Sequence, residues 1–564
     1  MRHWITLVGA AGLLMVNACA DSGPTTSAQP DAVSWDVGND SGPVVLPPGI
    51  APLNISLSFA DETLSGFVSL APEISGGSRI VGVEFLVDGV RLDTDIVPPF
   101  NYMLNSAQFE DGTHTVGVFV ADDSGQSAGA EVDILFDNTP PDIDSVFPND
   151  GDAVFFEDGP LSLRMNVEDV GPLKQVTFRV NGLKVAEFSE PPFETTAAWE
   201  DVFVAEETLP KTIFVQYVAE DNLGLQTEIS GDATVYSRRE WTLETVGEIW
   251  GTGALLPNGN LVIGNHNARV RAVSPTTGEE VWSLDIGGNV TQGPVYDAAT
   301  DRVFVGGGDG VLYAMAADGS SVPWTANFGS PLGGRVRIVG NVLYAPVFGG
   351  SVRALDTSSG SQLWQVNLPA QVFSTPAVAA DGTVYIGCKD KYLYAVKDGS
   401  VVWSVETGGE VLGWPVLGAD GTVYAGSNDG RMYAVGQDGT TQWDADVQGQ
   451  LWGAPLIGDD GNLYVISTSK FVTKIDIATG GILWTTKTEG LTYGGPVQDA
   501  AGTIYVGTSG GKVFALDPET GDISWSLAVS EASINGAPVI AGDILVTGST
   551  DRKLYGVRIA RPAP

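Results

Sequence analysis

The sequence predicts an all-β protein in which two related sandwich modules precede a closed ring of eight four-stranded sheets. Three observations carry this prediction. Glycine accounts for 72 of 564 residues and only 17% of residues are charged, whereas average proteins have about 7% glycine and about 25% charged residues. Short runs of alternating apolar and polar residues indicate strands. Finally, segments repeat at a spacing of 93 residues in the first half and about 40 residues in the second.

The charge and the few reactive side chains exclude several classes of function. The chain has 69 acidic and 28 basic residues, a net charge of −41, which repels phosphate backbones and anionic lipid headgroups. We therefore expect no nucleic-acid partner. With three histidines and two cysteines in all, the chain cannot assemble a Cys/His zinc cage, and it lacks a C-x-x-C redox motif.

Residues 1–19 have the pattern of a secretory signal peptide. Arg2 precedes an apolar stretch, and small residues precede Cys19. The segment 16–19, VNAC, resembles the bacterial lipobox, in which the cysteine is lipidated and becomes the first mature residue. Asn17 departs from the small or aliphatic residue usual at its place. An ordinary signal peptide with an incidental cysteine is the alternative, and a transmembrane anchor is disfavoured because the apolar stretch is short.

If Cys19 is lipidated, the membrane is a partner through a lipid anchor. In the lipoprotein sorting rule, an aspartate directly after the cysteine favours the inner membrane, and Ala20 stands there instead. The resemblance therefore implies an outer-membrane lipoprotein, facing either the periplasm or the surface. Residues 20–50 are rich in Ser, Pro, Asp and Gly and are predicted to be a flexible linker.

Residues 51–137 and 138–236 are predicted to be two copies of one β-sandwich. VEFLVDG at 83–89 matches VTFRVNG at 176–182, and PPF at 98–100 matches PPF at 191–193, both at an offset of 93. The alternating strands and the DG and NG hairpin turns resemble bacterial immunoglobulin-like (Ig-like) domains of surface proteins. This resemblance implies the fold but no activity.

Acidic residues are concentrated in these two modules. Residues 51–236 contain 33 acidic and 7 basic residues. Four acidic residues in equivalent turns are candidate Ca²⁺ ligands, because extracellular modules bind calcium through carboxylate oxygens with low affinity; they are Asp122, Asp123, Glu220 and Asp221. The alternative interpretation is a solvated acidic surface that binds no metal.

Eight tryptophans mark a repeat in residues 237–564. Their spacings lie between 39 and 42 residues, which fits the four strands of one propeller blade. They are Trp241, Trp282, Trp324, Trp364, Trp403, Trp443, Trp484 and Trp525. Each is predicted to lie on an outermost strand, where its ring covers the gap to a neighbouring blade.

The ends of the repeat predict how the ring closes. The last period ends after LYGV at 554–557 without an outer strand, while Trp241 begins the region without inner strands of its own. The segment around 240–245 should therefore complete the eighth blade and leave no open edge.

Two segments carry a family resemblance: VYAGSNDGRMYAVGQDGTTQW at 423–443 and IYVGTSGGKVFALDPETGDISW at 504–525. They resemble the pyrroloquinoline-quinone-like (PQQ-like) propeller repeat. This family includes quinone-dependent alcohol dehydrogenases and also non-catalytic propellers, such as the scaffold lipoprotein of the outer-membrane protein assembly machine. The resemblance implies an eight-bladed propeller and leaves these two functions to be distinguished.

The dehydrogenase branch uses a vicinal disulfide against its cofactor and a calcium site with a catalytic aspartate. This chain has no adjacent cysteines, and the even repeat leaves no room for long insertions. We therefore predict no catalytic residue, no bound quinone and no metal in the propeller. A PQQ-dependent periplasmic oxidoreductase remains the alternative. Cys388 and His266 are interpreted as turn residues.

Aromatic side chains near the start of the inner strands form a candidate binding face. They are Trp250, Phe373, Trp414, Trp452 and Tyr493. Aromatic residues are enriched among those that dominate binding energy; the alternative is that these rings only pack between blades. The sequence thus predicts a non-catalytic lipoprotein that presents a propeller to a protein or glycan at the cell envelope.

Overall fold

The structure is a computed structural model that describes residues 51–202, 209–491 and 493–560. The predicted signal peptide, the lipidation site at Cys19 and the linker 20–50 lie outside the described residues. The chain divides into two compact units. The first contains the described residues up to Glu62 with Gly66–Gln108 and Thr113–Leu135, and the second contains Thr63–Ser65, Phe109–Gly112 and everything from Phe136 onward. No helix in the described part of the chain has the length and apolar character needed to cross a membrane.

Short antiparallel strands make up residues 51–136. They are β1 (Asn54–Ser56), β2 (Thr63–Leu64), β3 (Phe67–Leu70), β4 (Glu73–Ser75), β5 (Ile80–Val87), β6 (Val90–Asp95), β7 (Tyr102–Asn105), β8 (Gly112–Asp122) and β9 (Ser127–Phe136), with a 3-10 turn at Ser106–Gln108. The strands β9, β8, β5 and β6 are neighbours in that order. On β5, Val83, Phe85 and Val87 are buried and the intervening residues are more exposed. The predicted alternation is therefore present.

Residues 142–236 form two sheets around one core. Their elements are β10 (Asp142–Phe147), β11 (Ala153–Phe155), β12 (Leu161–Glu168), β13 (Leu173–Val180), β14 (Leu183–Phe188), β15 (Glu194–Ala197), α1 (Trp199–Val202), β16 (Lys211–Asp221) and β17 (Gln226–Tyr236), with a 3-10 turn at Phe156–Asp158. The sheet orders are β10–β12–β15 and β11–β17–β16–β13–β14. Leu163 from one sheet and Phe178 and Ile213 from the other are fully buried in the shared core. The pair β13–β16 has the same position in the strand order of its sheet as the pair β5–β8 has in the first module. This agrees with the predicted repeat.

Eight four-stranded antiparallel sheets follow in the described residues from 239 to 558. Sheets 1 to 4 are β19 (Ala254–Leu255), β20 (Leu261–Gly264), β21 (Arg269–Val273), β22 (Glu280–Asp285); β23 (Val295–Asp297), β24 (Arg302–Gly306), β25 (Val311–Ala316), β26 (Trp324–Asn327); β27 (Arg337–Val339), β28 (Val342–Val347), β29 (Ser351–Asp356), β30 (Gln362–Asn367); and β31 (Ala377–Val378), β32 (Val384–Gly387), β33 (Tyr392–Lys397), β34 (Ser400–Glu406).

Sheets 5 to 7 continue the same order along the chain. They are β35 (Val416–Leu417), β36 (Val423–Gly426), β37 (Arg431–Val435), β38 (Thr441–Asp446); β39 (Leu456–Ile457), β40 (Leu463–Ile466), β41 (Phe471–Ile475), β42 (Ile482–Lys487); and β43 (Val497–Gln498), β44 (Ile504–Gly507), β45 (Lys512–Leu516), β46 (Ile523–Ala528). Sheet 8 combines β47 (Val539–Ala541), β48 (Ile544–Gly548) and β49 (Lys553–Arg558) with β18 (Arg239–Glu244).

The pairing of β18 with β49 is the closing strand that the sequence predicted. Thr242 faces Tyr555 and Leu243 faces Leu554 across an antiparallel ladder. Clusters of buried apolar side chains lie between every two consecutive sheets, and one of them joins sheet 8 to sheet 1. The eight sheets therefore form a closed ring, which we call the ring below.

The repeated tryptophans lie on the outer strand of each sheet and contact the next sheet. A Cβ atom added to Gly360, which has a positive φ of 75° in the hairpin of sheet 3, would lie 2.6 Å from the ring of Trp324 in sheet 2. The Trp324 indole N–H also donates to the carbonyl of Thr357 at 3.1 Å. Only glycine combines this backbone conformation with such a close approach. This packing explains why a T-G or D-G pair recurs before the tryptophan strands.

Candidate binding site at the centre of the ring

The segments that enter the innermost strands of six sheets surround a small cavity of about 50 Å³. It is lined by Trp250, Gly251, Thr252, Thr291, Gln292, Gly293, Trp414, Gly453, Ala454, Tyr493, Gly494, Gly495, Asn535, Gly536 and Ala537. Glycine is needed here because the backbones meet. A Cβ atom on Gly293 would lie 1.8 Å from the Thr252 carbonyl oxygen, and one on Gly494 would lie 2.5 Å from the Ala537 nitrogen. The centre is thus nearly filled by backbone and rimmed by aromatic rings.

Four of the five predicted aromatic residues come together at this cavity. Trp250, Trp414 and Tyr493 line it, and the ring of Trp452 lies 5.6 Å from that of Tyr493. Phe373 is not among the lining residues: it packs edge-to-face on Phe348 at 4.8 Å. We call Trp250, Trp414, Trp452 and Tyr493 the aromatic rim.

Two tryptophans of the rim are exposed and yet held in place. Trp250 is 41% exposed and Trp452 is 40% exposed. The Trp250 indole N–H donates to Glu248 at 2.8 Å, and its ring stacks on His266 at 5.2 Å with an interplanar angle of 11°. Rings fixed in this way lose little conformational entropy when a partner covers them.

The residues that fix these rings were not predicted as part of the site. Burial lowers the pKa of His266, against an opposing effect of the Glu248 charge, and so favours the uncharged imidazole in the stack. The Trp452 indole N–H donates to the Asn428 side-chain oxygen at 2.9 Å. Asn428 comes from sheet 5 and Trp452 from the entry to sheet 6, so no local pattern joins them.

The cavity at the centre of the ring is smaller than the pockets that hold organic cofactors. The cavity of about 50 Å³ holds only a few water molecules, whereas pockets for organic ligands measure about 300–1,000 Å³. The two cysteines of the chain, Cys19 and Cys388, are far apart in sequence, so the vicinal disulfide of the dehydrogenase branch cannot form.

The Cys388 thiol is expected to be unreactive in the folded protein. The side chain is fully buried, its sulfur lies 3.4 Å from the Ala370 carbonyl oxygen, and burial raises the pKa of this thiol to about 11. Because the thiolate is the reactive form, Ellman's reagent at pH 8 should label a Cys19→Ser variant only after denaturant is added. Rapid labelling of the native variant would contradict the burial.

In two of the four calcium candidates, hydrogen bonds within the chain engage both carboxylate oxygens. Asp122 accepts bonds from Ser78, Ser124 and Gln126; although burial opposes ionisation, these bonds lower its pKa to about 2. Glu220 pairs with Lys174, which lowers the pKa of that carboxyl group. Asp123 is exposed and accepts one bond, from the Arg79 amide.

The fourth candidate, Asp221, lies in a different environment. One of its carboxylate oxygens, one of Asp137 and one of Asp169 all lie within 4.8 Å of one another. Burial raises the pKa of Asp137 to about 6, and the charges of Asp169 and Asp221 add to this rise. Asp137 and Asp169 were not predicted as site residues. They precede Asp221 by 84 and 52 residues, and no spacing pattern links the three.

Comparisons with known proteins identify the repeat family. The family model described as outer membrane protein assembly factor BamB, of the PQQ-like repeat type, matches residues 266–396, 348–451 and 389–562. One curated relative is the outer membrane protein assembly factor BamB of Moranella endobia, 28% identical over 136 residues, which cover 21% of this chain and 35% of that protein. Another is the serine/threonine-protein kinase AfsK of Streptomyces griseus, 33% identical over 131 residues, which cover 22% of this chain and 16% of the kinase. The chain thus spans about a third or less of the length of these relatives.

Solved structures share the fold of the ring. BamB from Moraxella catarrhalis superposes with a TM-score of 0.50 at 20% identity, and the computationally designed Ika8 protein with a TM-score of 0.51 at 16% identity. Each match covers 57% of this chain and 99% of the solved chain. At such identities the likeness shows the β-propeller fold alone. Because the matched segments of the family model together span more than half of the sequence, the chain belongs to the BamB family of PQQ-like repeat β-propellers.

Proposed function

We propose that this protein is a non-catalytic scaffold of the cell envelope, attached to the outer membrane through lipid on Cys19. In this proposal the two sandwiches are Ig-like spacers, and each of the eight sheets is one propeller blade. The propeller presents the aromatic rim to a protein or glycan partner. The name of the family and of the Moranella relative supports a role in outer-membrane protein assembly.

A single observation carries the proposal: two rigid, exposed tryptophans stand at a centre too small for an organic cofactor. Trp250 and Trp452 are each about two-fifths exposed and anchored through their indole N–H groups. Anchored aromatic side chains at the centre of a flat surface are typical of residues that contribute most to binding energy. A surface that binds through such rings needs neither a deep pocket nor a catalytic group.

Replacing both Trp250 and Trp452 by alanine is expected to abolish partner binding and leave the fold intact. Each ring contributes about 150–250 Å² of contact area when covered, while its present exposure means that little core packing is lost. The measurement is crosslinking in the native envelope, followed by identification of the captured neighbours. The matched control is Leu363→Ala, since Leu363 is 53% exposed on the outer strand of sheet 3.

The two variants separate the possible outcomes. We expect the Leu363→Ala protein to capture the same neighbours as the unmodified protein, and the double tryptophan variant to lose them at an unchanged melting temperature. Unchanged capture by the double variant would remove the aromatic rim from the binding site. Loss of capture together with a lower melting temperature would show that the rings serve packing.

A further inference from the structure

Three aspartates of the second unit converge from separate parts of the chain. Asp137 follows β9, Asp169 follows β12 and Asp221 ends β16. One carboxylate oxygen of each lies within 4.8 Å of the other two. Asp137 is 1% exposed and Asp221 is fully buried, while Asp169 is half-buried. Three like charges are therefore held together in a largely dry place.

One oxygen of each carboxylate has no hydrogen-bond partner. These atoms are Oδ1 of Asp137, Oδ2 of Asp169 and Oδ2 of Asp221. The ion pairs formed by the described residues do not involve these three side chains. Burying an unpaired carboxylate is costly, so such groups in native proteins are paired or coordinate a metal. Each of the three converging carboxylates thus retains one oxygen that could serve as a cation ligand.

In Asp221 and Asp169, the second carboxylate oxygen accepts hydrogen bonds from backbone amides. Oδ1 of Asp221 accepts hydrogen bonds from the amides of Leu223 at 2.8 Å and Leu225 at 2.9 Å. Oδ1 of Asp169 accepts one from the Val170 amide at 3.0 Å. These bonds fix the orientation of both carboxylates. Neither side chain therefore has to rotate for its remaining oxygen to reach a cation.

The first sandwich provides an internal comparison. Leu173 faces Asp221 across β13 and β16, and Ile80 faces Asp122 across β5 and β8, so Asp122 and Asp221 are equivalent. Four residues before Leu173 stands Asp169, whereas four residues before Ile80 stands Gly76.

Asp122 consequently has a different set of partners. The Ser78 amide donates to its Oδ2 at 2.7 Å, and the Ser124 and Gln126 groups bond its Oδ1. In the first copy, the turn after β8 and the Ser78 amide provide partners for both oxygens of Asp122. In the second copy, the equivalent Asp221 keeps one oxygen without a partner and lies next to two further carboxylates. The difference lies at one corner of an otherwise repeated fold.

We propose that Asp137, Asp169 and Asp221 bind one Ca²⁺ ion in the second compact unit, where the segment after β9 lies next to the turns that follow β12 and β16. The ligand atoms are all carboxylate oxygens, which suit Ca²⁺ or Mg²⁺ rather than transition metals. Ca²⁺ accepts irregular sets of six to eight oxygens at about 2.3–2.6 Å, so two of its ligands can lie up to about 5 Å apart, whereas Mg²⁺ demands a tighter octahedron. A surface groove of about 800 Å³, lined in part by Asp169, gives the ion a route from solvent.

The test is calcium binding by the purified full chain, measured by titration calorimetry after removal of metals with EDTA. We expect one site with a Kd in the range of about 10⁻⁴–10⁻³ M, as in extracellular modules, and much weaker binding of Mg²⁺. At about ten times the Kd, the ratio of folded to unfolded second sandwich should rise about elevenfold, which a thermal unfolding scan detects.

The decisive variant is Asp169→Asn, with Asp123→Asn as the matched control. Asp169 is half-buried in a turn, so its amide should be tolerated; Asp123 occupies the acidic turn of the first copy. We expect Asp169→Asn to lose calcium binding and to melt no lower than the unmodified protein in EDTA, because it removes one of three repelling charges. Asp123→Asn should bind normally.

Three outcomes overturn the proposal. They are the absence of calcium binding at about 10 mM, full calcium binding by Asp169→Asn, and equal affinity for Ca²⁺ and Mg²⁺. Should Asp137→Asn fail to fold, Asp169→Asn still decides the question.

Discussion

Deleting residues 237–248 will lower the melting temperature of the ring far more than the length of the segment suggests. The deletion removes β18, the outer strand of sheet 8, and so exposes every ladder group of β49 that β18 now pairs. It also removes Trp241 and Leu243 from the apolar cluster that joins sheet 8 to sheet 1. A ring that was closed would acquire an open edge, the feature that sheet proteins otherwise avoid.

The magnitude follows from the area that one side chain buries. At about 25 cal/mol per Å², the loss of the roughly 150–250 Å² buried by the Trp241 ring alone costs about 4–6 kcal/mol. Its indole N–H bond to the Pro275 carbonyl, 2.7 Å long, is lost as well. The sum is comparable to the whole free energy of unfolding of a typical domain, about 5–15 kcal/mol.

Differential scanning calorimetry measures the effect. The control is a deletion of the same length within the predicted linker 20–50, which should leave the transition of the ring where it was. An unchanged melting temperature after deletion of 237–248 would show that β18 does not close the ring. Protease resistance of the truncated ring would point the same way.

The periodic features of the fold could be predicted from the sequence, because every sheet has to pack on the next sheet in the same way. In the ring, a tryptophan packs against the hairpin glycine of the next sheet. Pairs equivalent to Trp324 and Gly360 therefore recur along the chain at nearly constant spacing. The last period has no outer strand of its own, so the sequence predicted that another segment supplies it. Trp241 identified that segment, which is β18. Packing that recurs leaves a pattern even when single residues vary.

The features that were missed occur once each. The calcium candidates were sought in equivalent turns of the two copies, yet Asp169 has only Gly76 as its counterpart. Phe373 was grouped with Trp452 and Tyr493 in the candidate binding face, but its ring packs on Phe348. A residue that breaks the repeat, or whose partner is remote in sequence, carries no periodic signal.

Arg238 is the clearest example of such a residue, and replacing it by alanine should uncouple the second sandwich from the ring. Its guanidinium group lies between the ring of Phe155, at 4.0 Å, and the ring of Trp525, at 4.2 Å. Two of its nitrogens bond the Asp158 carboxylate at 2.6 and 3.0 Å. A third donates to the Arg558 carbonyl at 3.0 Å.

Arg238 takes the place of a missing hairpin. In other sheets the outer tryptophan packs on the hairpin glycine of the next sheet. No hairpin joins β49 to β18, because these two strands are more than 300 residues apart in the sequence. Trp525 therefore packs on Arg238, which is only 4% exposed. The same guanidinium reaches Phe155 and Asp158 of the second sandwich, so the site where the ring closes is also where the sandwich is attached.

Replacing Arg238 by alanine leaves a cavity between the rings of Phe155 and Trp525. It also removes the cation that pairs with Asp158. Breaking a fully buried ion pair from one side costs about 3–5 kcal/mol, and because the Asp158 side chain is 31% exposed, the loss of this pair should cost less. Lysine should restore only part of that loss, since it lacks the planar fork that bonds carboxylate and carbonyls together. We expect the sandwich and the ring to unfold as one transition in the unmodified protein and as two in Arg238→Ala.

The neighbouring residue offers the matched control for this experiment. Arg239 is exposed, with its guanidinium 5.7 Å from the Tyr555 ring, so Arg239→Ala should cost less than about 1 kcal/mol. A single transition at the original temperature in Arg238→Ala would refute the coupling. Two transitions in Arg238→Ala and one in Arg239→Ala would show that a single buried guanidinium group couples the second sandwich to the ring.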